Sequence, residues 1–493
     1  MSSYTGTYRV YIDWDNDGDF TGPYDDVSAD VRGRITWDYG FANSRDRVAM
    51  VGICEFELDN TWFNQHGEKG LYSMDNAASS LAGKVMPMKP VAVEVTYNAK
   101  TRRMWTGYIG DIQPDPEMGV VAFRCYDYMH ALVSTRIGSL LYTNVKAGFL
   151  VTAVLGNIFT AIATDCDEGK QVFPFAGDRW QYEQVTGHEA MRHIAESEWG
   201  RFWFDRKGVG TYRDTYFEFE DDTSRATFDK SMAQLLTRRE ARDIINRWSV
   251  EMTPREVGNT PIVVAKLDNP PYLDPGETSP TYTLRFRDPD TGQPIAVAAE
   301  IPLVPGTDYE PSSGIVVPLY SSSATSVTFN IRNTNDYPVQ MTRWQLRGYP
   351  VYEYEPVIFT AEDTTSQSIY TFGKPMSQSL RLELTDNPLF AQQLAQYLVN
   401  RYAKPFTTVE GIVVENLSAA QYEAMLDLEV MDLITLTDGA GLGYSGDLFR
   451  IIYARHEVEG ARHSVTYRLE PYNDQNYALW SSGTWDDATW APL

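Results

Sequence analysis

Apolar and polar residues alternate along the first 130 residues of the chain. In the stretch YRVYIDW the alternate positions are apolar: Tyr8, Val10, Ile12 and Trp14. The stretches CEFEL (54–58) and VAVEVTY (91–97) alternate in the same way, and WTGYIGDI (105–112) and VVAFRCYD (120–127) continue the pattern. A period of two is typical of antiparallel strands with one buried face. Residues 1–130 therefore predict a small β-barrel or sandwich, with a polar segment near 61–90.

The period changes between residues 147 and 163, where the apolar positions follow a helical repeat: Leu150, Val151, Val154, Leu155, Ile158 and Ile162. A second predicted helix, GHEAMRHIAESEW, follows Thr186 and precedes the strand-like stretch RFWFDRKGVGTYR. Alternating helical and strand patterns of this kind indicate that residues 131–253 form an α+β section.

Residues 254–360 are rich in Pro, Gly, Ser and Thr, with short β-branched runs separated by turn signals such as DPDTG and NTND. This composition predicts an inserted β-sandwich. In the next section, 361–472, Asn387 and Pro388 predict the start of a helix, and Ser418 with Gln421 forms a capping box. A closing hairpin and a Trp-rich tail (473–493) follow. The predicted fold class is mainly β, with small β-barrel domains at both ends and an α+β middle section.

Composition narrows the function classes. The 493 residues are 43% hydrophobic and 22% charged, which is typical of a soluble globular protein, and no window approaches the length of an apolar membrane span. The start, MSSYTGTYRV, lacks a secretory pattern, so we expect synthesis in the cytoplasm. The net charge of −25 argues against a protein that grips nucleic acid. The arginine-rich stretch at 237–247 is interpreted as a solvated helix face.

Three cysteines, Cys54, Cys125 and Cys166, are odd in number and far apart along the chain. They offer neither a disulfide framework nor the spacing of a zinc site. We expect them to be reduced and buried.

The stretch DWDNDGDF (13–20) carries aspartates at every second position. Asp13, Asp15 and Asp17 occupy the first three carboxylate positions of an EF-hand loop, but Tyr24 stands where the bidentate glutamate is needed. A strand precedes the stretch, where an EF-hand needs a helix. We therefore interpret it as a hairpin turn, with a bound calcium ion as the alternative, because four close carboxylates repel one another.

Two other motifs resemble catalytic or cofactor sites and fail on spacing. His188 and His193 lie five residues apart, about 140° around a helix, and cannot share a metal ion as an HExxH pair does. Glu189 and His193 are instead expected to form a surface pair. The GLGYSG stretch (441–446) matches GxGxxG but precedes a strand, so it predicts a hairpin loop. We expect no catalytic, cofactor-binding or metal-binding residues, and no enzyme activity.

The tail spaces Trp480, Trp485 and Trp490 five residues apart among small and acidic residues. An exposed row of tryptophans is typical of a docking peptide or a sugar platform. A disordered chain end is the equal alternative.

The order of several segments resembles one family: the N-terminal YRVYIDWDNDGDFTGPYDDVSADV, then RGRITWDYG, EFELDN, WTGYIGDI and YDYMHAL. The resemblance continues through VLGNIF, GHEAMRHIAESEWGRFWFDRKG, DIINRWSVEMTPR, AQQLAQYLVNRY and the closing DLFRIIYARHEVEGARHSVTYRLEP. In this order they are similar to tail-tip (baseplate) hub proteins of long-tailed bacteriophages. The long β-rich section at 254–360 and the Trp tail depart from that pattern.

The resemblance implies a structural virion protein at the tail tip. Such a protein forms a homotrimeric ring of β-barrels that closes or continues the tail tube, and its core fold carries no chemistry. The implied partners are the distal tail protein, the tape measure protein and tail fibre or tip proteins, and DNA passes through without specific binding during genome ejection. The alternatives are a carbohydrate-binding adhesin of the tail tip and a cell-wall hydrolase.

Overall fold

The computed structural model describes residues 4–138, 141–180, 184–229, 234–405, 408–437 and 444–472, together with the backbone of 477–478 and 489–490. Strands far outnumber helices, and most are paired in antiparallel sheets. The predicted fold class, mainly β with an α+β middle section, is confirmed.

The N-terminal third is built from strands, as its alternation predicts. Its elements are β1 (Thr7–Ile12), a 3-10 turn (Ser28–Asp30), β2 (Val31–Gly40), β3 (Ile53–Asp59), β4 (Pro90–Tyr97), β5 (Lys100–Asp115) and β6 (Val120–Tyr126). The predicted inward faces are buried, including Cys54, Phe56 and Leu58 on β3.

The middle section mixes helices with short strands. Its elements are α1 (Tyr128–Ser134), β7 (Tyr142–Lys146), α2 (Ala147–Ile158), β8 (Thr164–Cys166), β9 (Val172–Ala176), α3 (Gly187–Glu198), β10 (Arg201–Phe204), β11 (Gly210–Arg213), α4 (Phe217–Glu220), β12 (Ala226–Phe228), β13 (Gln234–Arg238), a 3-10 turn (Ala241–Asp243) and β14 (Arg247–Met252). The helix predicted over 147–163 ends at Ile158. The helix interpretation of 237–247 is wrong, because this stretch holds the end of β13 and the 3-10 turn.

Twelve short strands follow β14: β15 (Arg255–Val257), β16 (Ile262–Lys266), β17 (Tyr272–Leu273), β18 (Tyr282–Arg285), β19 (Ala296–Glu300), β20 (Tyr309–Glu310), β21 (Ile315–Val316), β22 (Tyr320–Ser322), β23 (Ser326–Phe329), β24 (Arg332–Asn333), β25 (Val339–Gln340) and β26 (Arg343–Glu353). They surround a hydrophobic core of their own, in which the rings of Phe329 and Trp344 stack with centroids 3.5 Å apart. The chain enters and leaves this insert side by side, since Arg255 pairs with Glu353 and Met252 with Val357.

The C-terminal section holds β27 (Val357–Glu362), α5 (Thr364–Tyr370), β28 (Ser377–Leu382), α6 (Pro388–Tyr402), β29 (Thr408–Glu415), α7 (Ala419–Asp427), β30 (Leu433–Thr437), β31 (Ser445–Glu459), β32 (Arg462–Pro471), β33 (Tyr477–Ala478) and β34 (Thr489–Trp490). Both predicted helix starts are confirmed. The Asn387 side chain accepts from the backbone N–H groups of Leu389 and Phe390, and Ser418 accepts from that of Gln421.

One twelve-stranded sheet joins the two ends of the chain. Its main path runs β1-β4-β5-β6-β3-β2-β31-β32-β29-β13, and β30 links β31 to β12. The seam between the halves is the antiparallel pair β2–β31, in register from Arg34 with Glu459 to Gly40 with Tyr453. A separate three-stranded sheet, β27-β14-β28, packs on α6 through Trp248, Val250 and Leu394.

In the described ranges, no helix is both long enough and apolar enough to cross a bilayer.

Candidate functional site

The aspartate-rich stretch forms a long loop that leaves β1 and returns antiparallel to it. Tyr11 bridges Asp26, and the backbone N–H of Ile12 donates to the carbonyl oxygen of Asp25 at 2.9 Å. The connection therefore spans twelve residues, and within it Asn16 and Gly18 have positive φ, as the turn predicted there requires. The buried Asp13 carboxylate accepts from the backbone N–H groups of residues 16–18. Such bonds hold the loop without a ligand.

The three aspartates do not converge. Asp15 pairs with Lys84 at 2.5 Å, and Asp17 accepts from the backbone N–H of Asp19. Across the described ranges, no group of three or more His, Cys, Asp or Glu side chains is placed to hold a metal ion.

Helix α3 uses its first acidic residue as a cap. The Glu189 carboxylate accepts from the backbone N–H of Thr186 at 2.9 Å, and the Thr186 hydroxyl accepts from the backbone N–H of Glu189. Glu189 therefore forms a capping box; it also attracts His193 electrostatically, as the predicted pair requires, but His193 is half-buried. Burial lowers the pKa values of both His188 and His193, so the imidazoles are neutral near pH 7.

Two stretches singled out in the sequence lie largely outside the described residues. Strands β30 and β31 pair as the predicted closing hairpin, while residues 441–443 of GLGYSG lie outside the described part. Trp480 and Trp485 also lie outside it, and for Trp490 only the backbone is described, in β34, which pairs in parallel with β33.

Two cysteines that are distant in sequence face each other in the sheet. Cys54 lies directly opposite Cys125 in the β3–β6 pair, and both side chains are fully buried. The backbone N–H of Asp127 donates to the carbonyl oxygen of Gly52 two positions along, so Cys54 and Cys125 fall at a hydrogen-bonded position, where side chains are more widely spaced. Burial raises the pKa of both thiols, which favours the reduced form that the sequence predicts.

A buried network of charged side chains joins distant parts of the chain. The Arg201 guanidinium donates to Glu218 at 2.8 Å and to Glu470 at 2.7 Å, and the Arg47 guanidinium donates to Glu218 at 3.0 Å. Arg401 and Arg450 complete the cluster. These residues come from the loop after β2, from β10, α4 and α6, and from β31 and β32, so one network connects the N-terminal, middle and C-terminal sections.

The network has a structural role, because it holds the three sections of the chain together. Burial alone would raise the pKa of Glu218, but the surrounding guanidinium groups hold it well below its usual range. A carboxylate held ionised between arginines is a poor proton donor or acceptor at neutral pH. Because four arginines share two glutamates, removing Glu218 or Glu470 would leave buried positive charge uncompensated, at a cost of roughly 3–5 kcal/mol.

Charges on the solvated face of the twelve-stranded sheet alternate in sign. Glu55 lies 3.5 Å from Arg124 on the next strand, Glu94 lies 2.9 Å from Arg103, and Arg34 pairs with Glu457 across the seam at 3.5 Å. This face is therefore a mosaic of ion pairs. A nearly neutral mosaic would hold phosphate groups only weakly.

Bulky apolar side chains are exposed at several places in the described part of the chain, and two of these groups include the most exposed aromatic rings. Beside the β5–β6 turn, Trp62, Phe63 and Met118 are 65%, 87% and 74% exposed, and the backbone N–H of Asn60 donates to the carbonyl oxygen of Gly119. In the last turn of α5, Ile369 is 64% exposed, and Phe372, two residues after the helix, is 99% exposed. Exposed apolar clusters of this kind mark surfaces that contact other proteins.

Phe372 lies in a turn whose backbone is strained and which is held by hydrogen bonds to a buried side chain. Its φ of 55° lies in the left-handed region, which is unfavourable for a bulky residue. The turn is anchored on the buried Asn246, whose side-chain amide donates to the Thr371 hydroxyl at 3.1 Å and accepts from the backbone N–H of Met376 at 2.8 Å. The fold thus fixes the backbone turn from which the exposed aromatic ring projects.

No protein-family model matches the chain, and no curated protein matches it. Solved structures of tail proteins are similar in fold. A tail protein from Neisseria meningitidis MC58 has a TM-score of 0.49 at 10% identity, with 95% of this chain and 97% of that chain covered. The 43 kDa tail protein of prophage MuSo2 from Shewanella oneidensis has a TM-score of 0.48 at the same identity and coverage. The prophage tail protein gp18 from Listeria monocytogenes EGD-e has a TM-score of 0.41 at 6% identity, with 96% of each chain covered.

Sequence patterns did not point to the buried network or to the Phe372 turn. Directly bonded members of the network lie up to 269 positions apart, as Arg201 and Glu470 do, with no local signal of burial. For Phe372 a local signal exists, because the aromatic precedes a glycine directly after a short helical stretch.

Proposed function

We propose that this chain is a structural virion protein, the tail-tip (baseplate) hub of a long-tailed bacteriophage, and that it assembles as a trimeric ring. The ring closes or continues the tail tube. Its neighbours are the distal tail protein, the tape measure protein and tail fibre or tip proteins. The chain resides in the virion after synthesis in the host cytoplasm, and it takes part in host attachment and genome ejection.

The observation that carries the proposal is the shared sheet. Strands from both ends of the chain form one wall whose inner side is hydrophobic core and whose outer side is an ion-paired, solvated mosaic. A tube built from such walls presents a hydrated face to a passing polyanion. The order along the sequence of the segments that resemble tail-tip hub proteins supports the same assignment.

Two measurements test the proposal. Light scattering on the purified chain should give the mass of three 55.9 kDa chains. An antibody against the chain should label the tip of the tail in electron micrographs of intact particles. Labelling of the capsid or along the tail shaft, or a stable monomer at all concentrations, would contradict the hub assignment.

An adhesin is the second candidate, and a cleft of about 460 Å³ favours it. The cleft lies between the insert and the middle section, and its lining includes Arg285, Gln293 and the partly exposed ring of Tyr352. Aromatic rings and planar polar groups suit sugar hydroxyls. Binding of the full chain to a glycan array, lost in Tyr352→Ala, would favour this candidate over a purely structural role.

We further propose that the chain is not an enzyme. The two carboxylates of the buried network, Glu218 and Glu470, are ion-paired with arginines and are not available for proton transfer. Zymography on peptidoglycan should therefore show no clearing, and clearing by the pure protein would favour a cell-wall hydrolase.

A further inference from the structure

Four buried polar atoms, one on a buried imidazole and three on the rings around it, have no hydrogen-bond partner among the residues that the structure describes. They are Trp37 Nε1, Tyr39 Oη, His456 Nε2 and Tyr467 Oη. The Trp37 ring stacks on His456 at 4.8 Å, and the rings of Tyr39 and Tyr467 lie 6.1 and 6.5 Å from it. Each of these side chains is at most 4% exposed. Buried polar atoms almost always have a partner, so four together indicate an additional polar species.

The strand register places all four side chains on one face of the seam. Trp37 lies opposite His456, and Tyr39 lies opposite Ala454, which in turn lies opposite Tyr467. A small alanine between two tyrosines leaves room above its methyl group. The four side chains therefore neighbour one another on the core side of β2, β31 and β32, around the space above the Ala454 methyl group.

A chain of hydrogen bonds leads to this space from the N-terminus. The backbone N–H of Gly6 donates to Tyr422 Oη at 2.9 Å, Tyr422 Oη lies 2.6 Å from Tyr8 Oη, and Tyr8 Oη lies 2.7 Å from His463 Nδ1. His463 Nε2 lies 3.0 Å from His456 Nδ1. Burial lowers the pKa of His463 to about 3 and that of His456 well below its usual value, so each imidazole is neutral and carries one N–H.

The direction of donation along this chain follows from its first bond. Because the Gly6 N–H can only donate, Tyr422 is free to donate to Tyr8, Tyr8 to His463 Nδ1, and His463 Nε2–H to His456 Nδ1. In this direction every group is satisfied except His456 Nε2–H. In the reverse direction the Tyr422 hydroxyl hydrogen also lacks an acceptor. The space is therefore bordered by two obligatory donors, Trp37 Nε1–H and His456 Nε2–H, and by two tyrosine hydroxyl groups.

We propose that this space is a binding site for one or two structural water molecules that join β2 to β31 and β32 at the seam. A water oxygen accepts from Trp37 and His456, and its hydrogens donate to the oxygens of Tyr39 and Tyr467, which gives the two to four polar partners that a buried water needs. The ligand is water because the lining side chains are almost inaccessible to solvent, so that no larger molecule can enter. Arg206 and Glu429, which form an ion pair with each other, both act electrostatically on Tyr39 and Tyr467 and therefore lie nearby.

Replacement of single hydroxyl groups distinguishes a hydrated site from unpaired hydroxyls. If water bonds to Tyr39 and Tyr467, Tyr39→Phe and Tyr467→Phe should each lower the folding equilibrium constant of the full chain about 2- to 10-fold in urea unfolding. The double variant should lose less than the product of the two, because both changes affect the same water. If the hydroxyls were unpaired, their removal would leave stability equal or increased.

Two matched controls calibrate this result. Tyr370→Phe removes an exposed hydroxyl and should have no effect, and Tyr72→Phe removes a hydroxyl that donates directly to Asp30 at 2.5 Å and should be destabilising. A crystal structure of the parent chain provides a readout that is independent of variant folding. Density for a water oxygen within about 3.2 Å of at least two of the four atoms is expected. Direct bonds among these atoms, or unchanged stability in both single variants, would overturn the proposal.

Discussion

Excision of the insert should leave a folded remainder, provided that one buried charge is removed with it. Because Met252 and Val357 are paired neighbours on β14 and β27, an Asn-Gly turn in place of residues 253–356 would convert the entry and exit strands into a hairpin. The insert core around Phe329 and Trp344 leaves as a unit. The sheet β27-β14-β28 and its contact with α6 remain.

The cost of excision comes from the junction with the middle section. Arg255 and Asp178 form an ion pair in which the side chains are 7% and 4% exposed, and Arg255 also lies 5.3 Å from the Phe175 ring centre. Loss of Arg255 removes the guanidinium that faces the buried Asp178 carboxylate, which costs up to about 3–5 kcal/mol. Phe175 also loses its contacts with Ala296 and Val351, for about 1–2 kcal/mol. The total approaches the whole stability of a typical domain.

The excised chain should therefore be strongly destabilised, and the same chain with Asp178→Asn should recover most of the loss. Thermal unfolding followed by circular dichroism, together with size-exclusion chromatography, measures both. Asp178→Asn in the full chain is the matched control and should be destabilising there, because the buried Arg255 then loses one of its two carboxylate partners, Asp178 and Glu353. Aggregation of both excised chains would refute the reasoning, because it would show that the insert strands complete the core of the body.

Four further predictions concern assembly, ions, pH and DNA. Phe372→Ser should weaken trimer formation without lowering the melting temperature, as light scattering and thermal unfolding would show; a trimer of unchanged affinity would exclude this ring from the interface. EDTA should leave the melting temperature unchanged, because backbone N–H groups already satisfy Asp13, and a large decrease would indicate a bound ion. Burial raises the pKa of Glu198 from 4.5 to about 7, so the folded state binds a proton more tightly and stability should fall as the pH rises from 4.5 to 7, by at most about 3 kcal/mol; Glu198→Gln should flatten this slope in urea titrations. The purified assembly should not retain duplex DNA in a shift assay at about 20 mM salt, and salt-sensitive retention would indicate a basic passage instead.

Local sequence patterns predicted a strand correctly where one of its faces is buried, and a helix start correctly where a capping residue marks it. The alternation in CEFEL placed Cys54, Phe56 and Leu58 in the core, and Asn387 capped α6 as expected. The helix predicted at 237–247 is not formed, because the strand residues in this stretch pair with β29, about 170 positions later. Such long-range pairing overrides local propensity.

Residues that act through distant partners could not be predicted. Glu218 has nothing in its neighbourhood to indicate that arginines from four other segments will surround it. Asn246 is typical of a turn residue in sequence, yet it is fully buried and supports the turn that displays Phe372. In both cases the burial of a polar side chain depends on the topology.

The pairing of β2 with β31 also determines how long β2 remains unpaired while the chain is being synthesised. β2 ends at Gly40, and its partner strand is complete only at Glu459. At about 5–20 residues per second, a ribosome needs roughly 20–80 s to make the intervening chain. Throughout that interval one edge of β2 carries unpaired backbone groups beside an apolar face, which is a template for pairing with another nascent chain. Many copies made at once on neighbouring ribosomes would therefore compete with correct closure, so that the yield of folded protein should depend on how fast and how densely the message is translated.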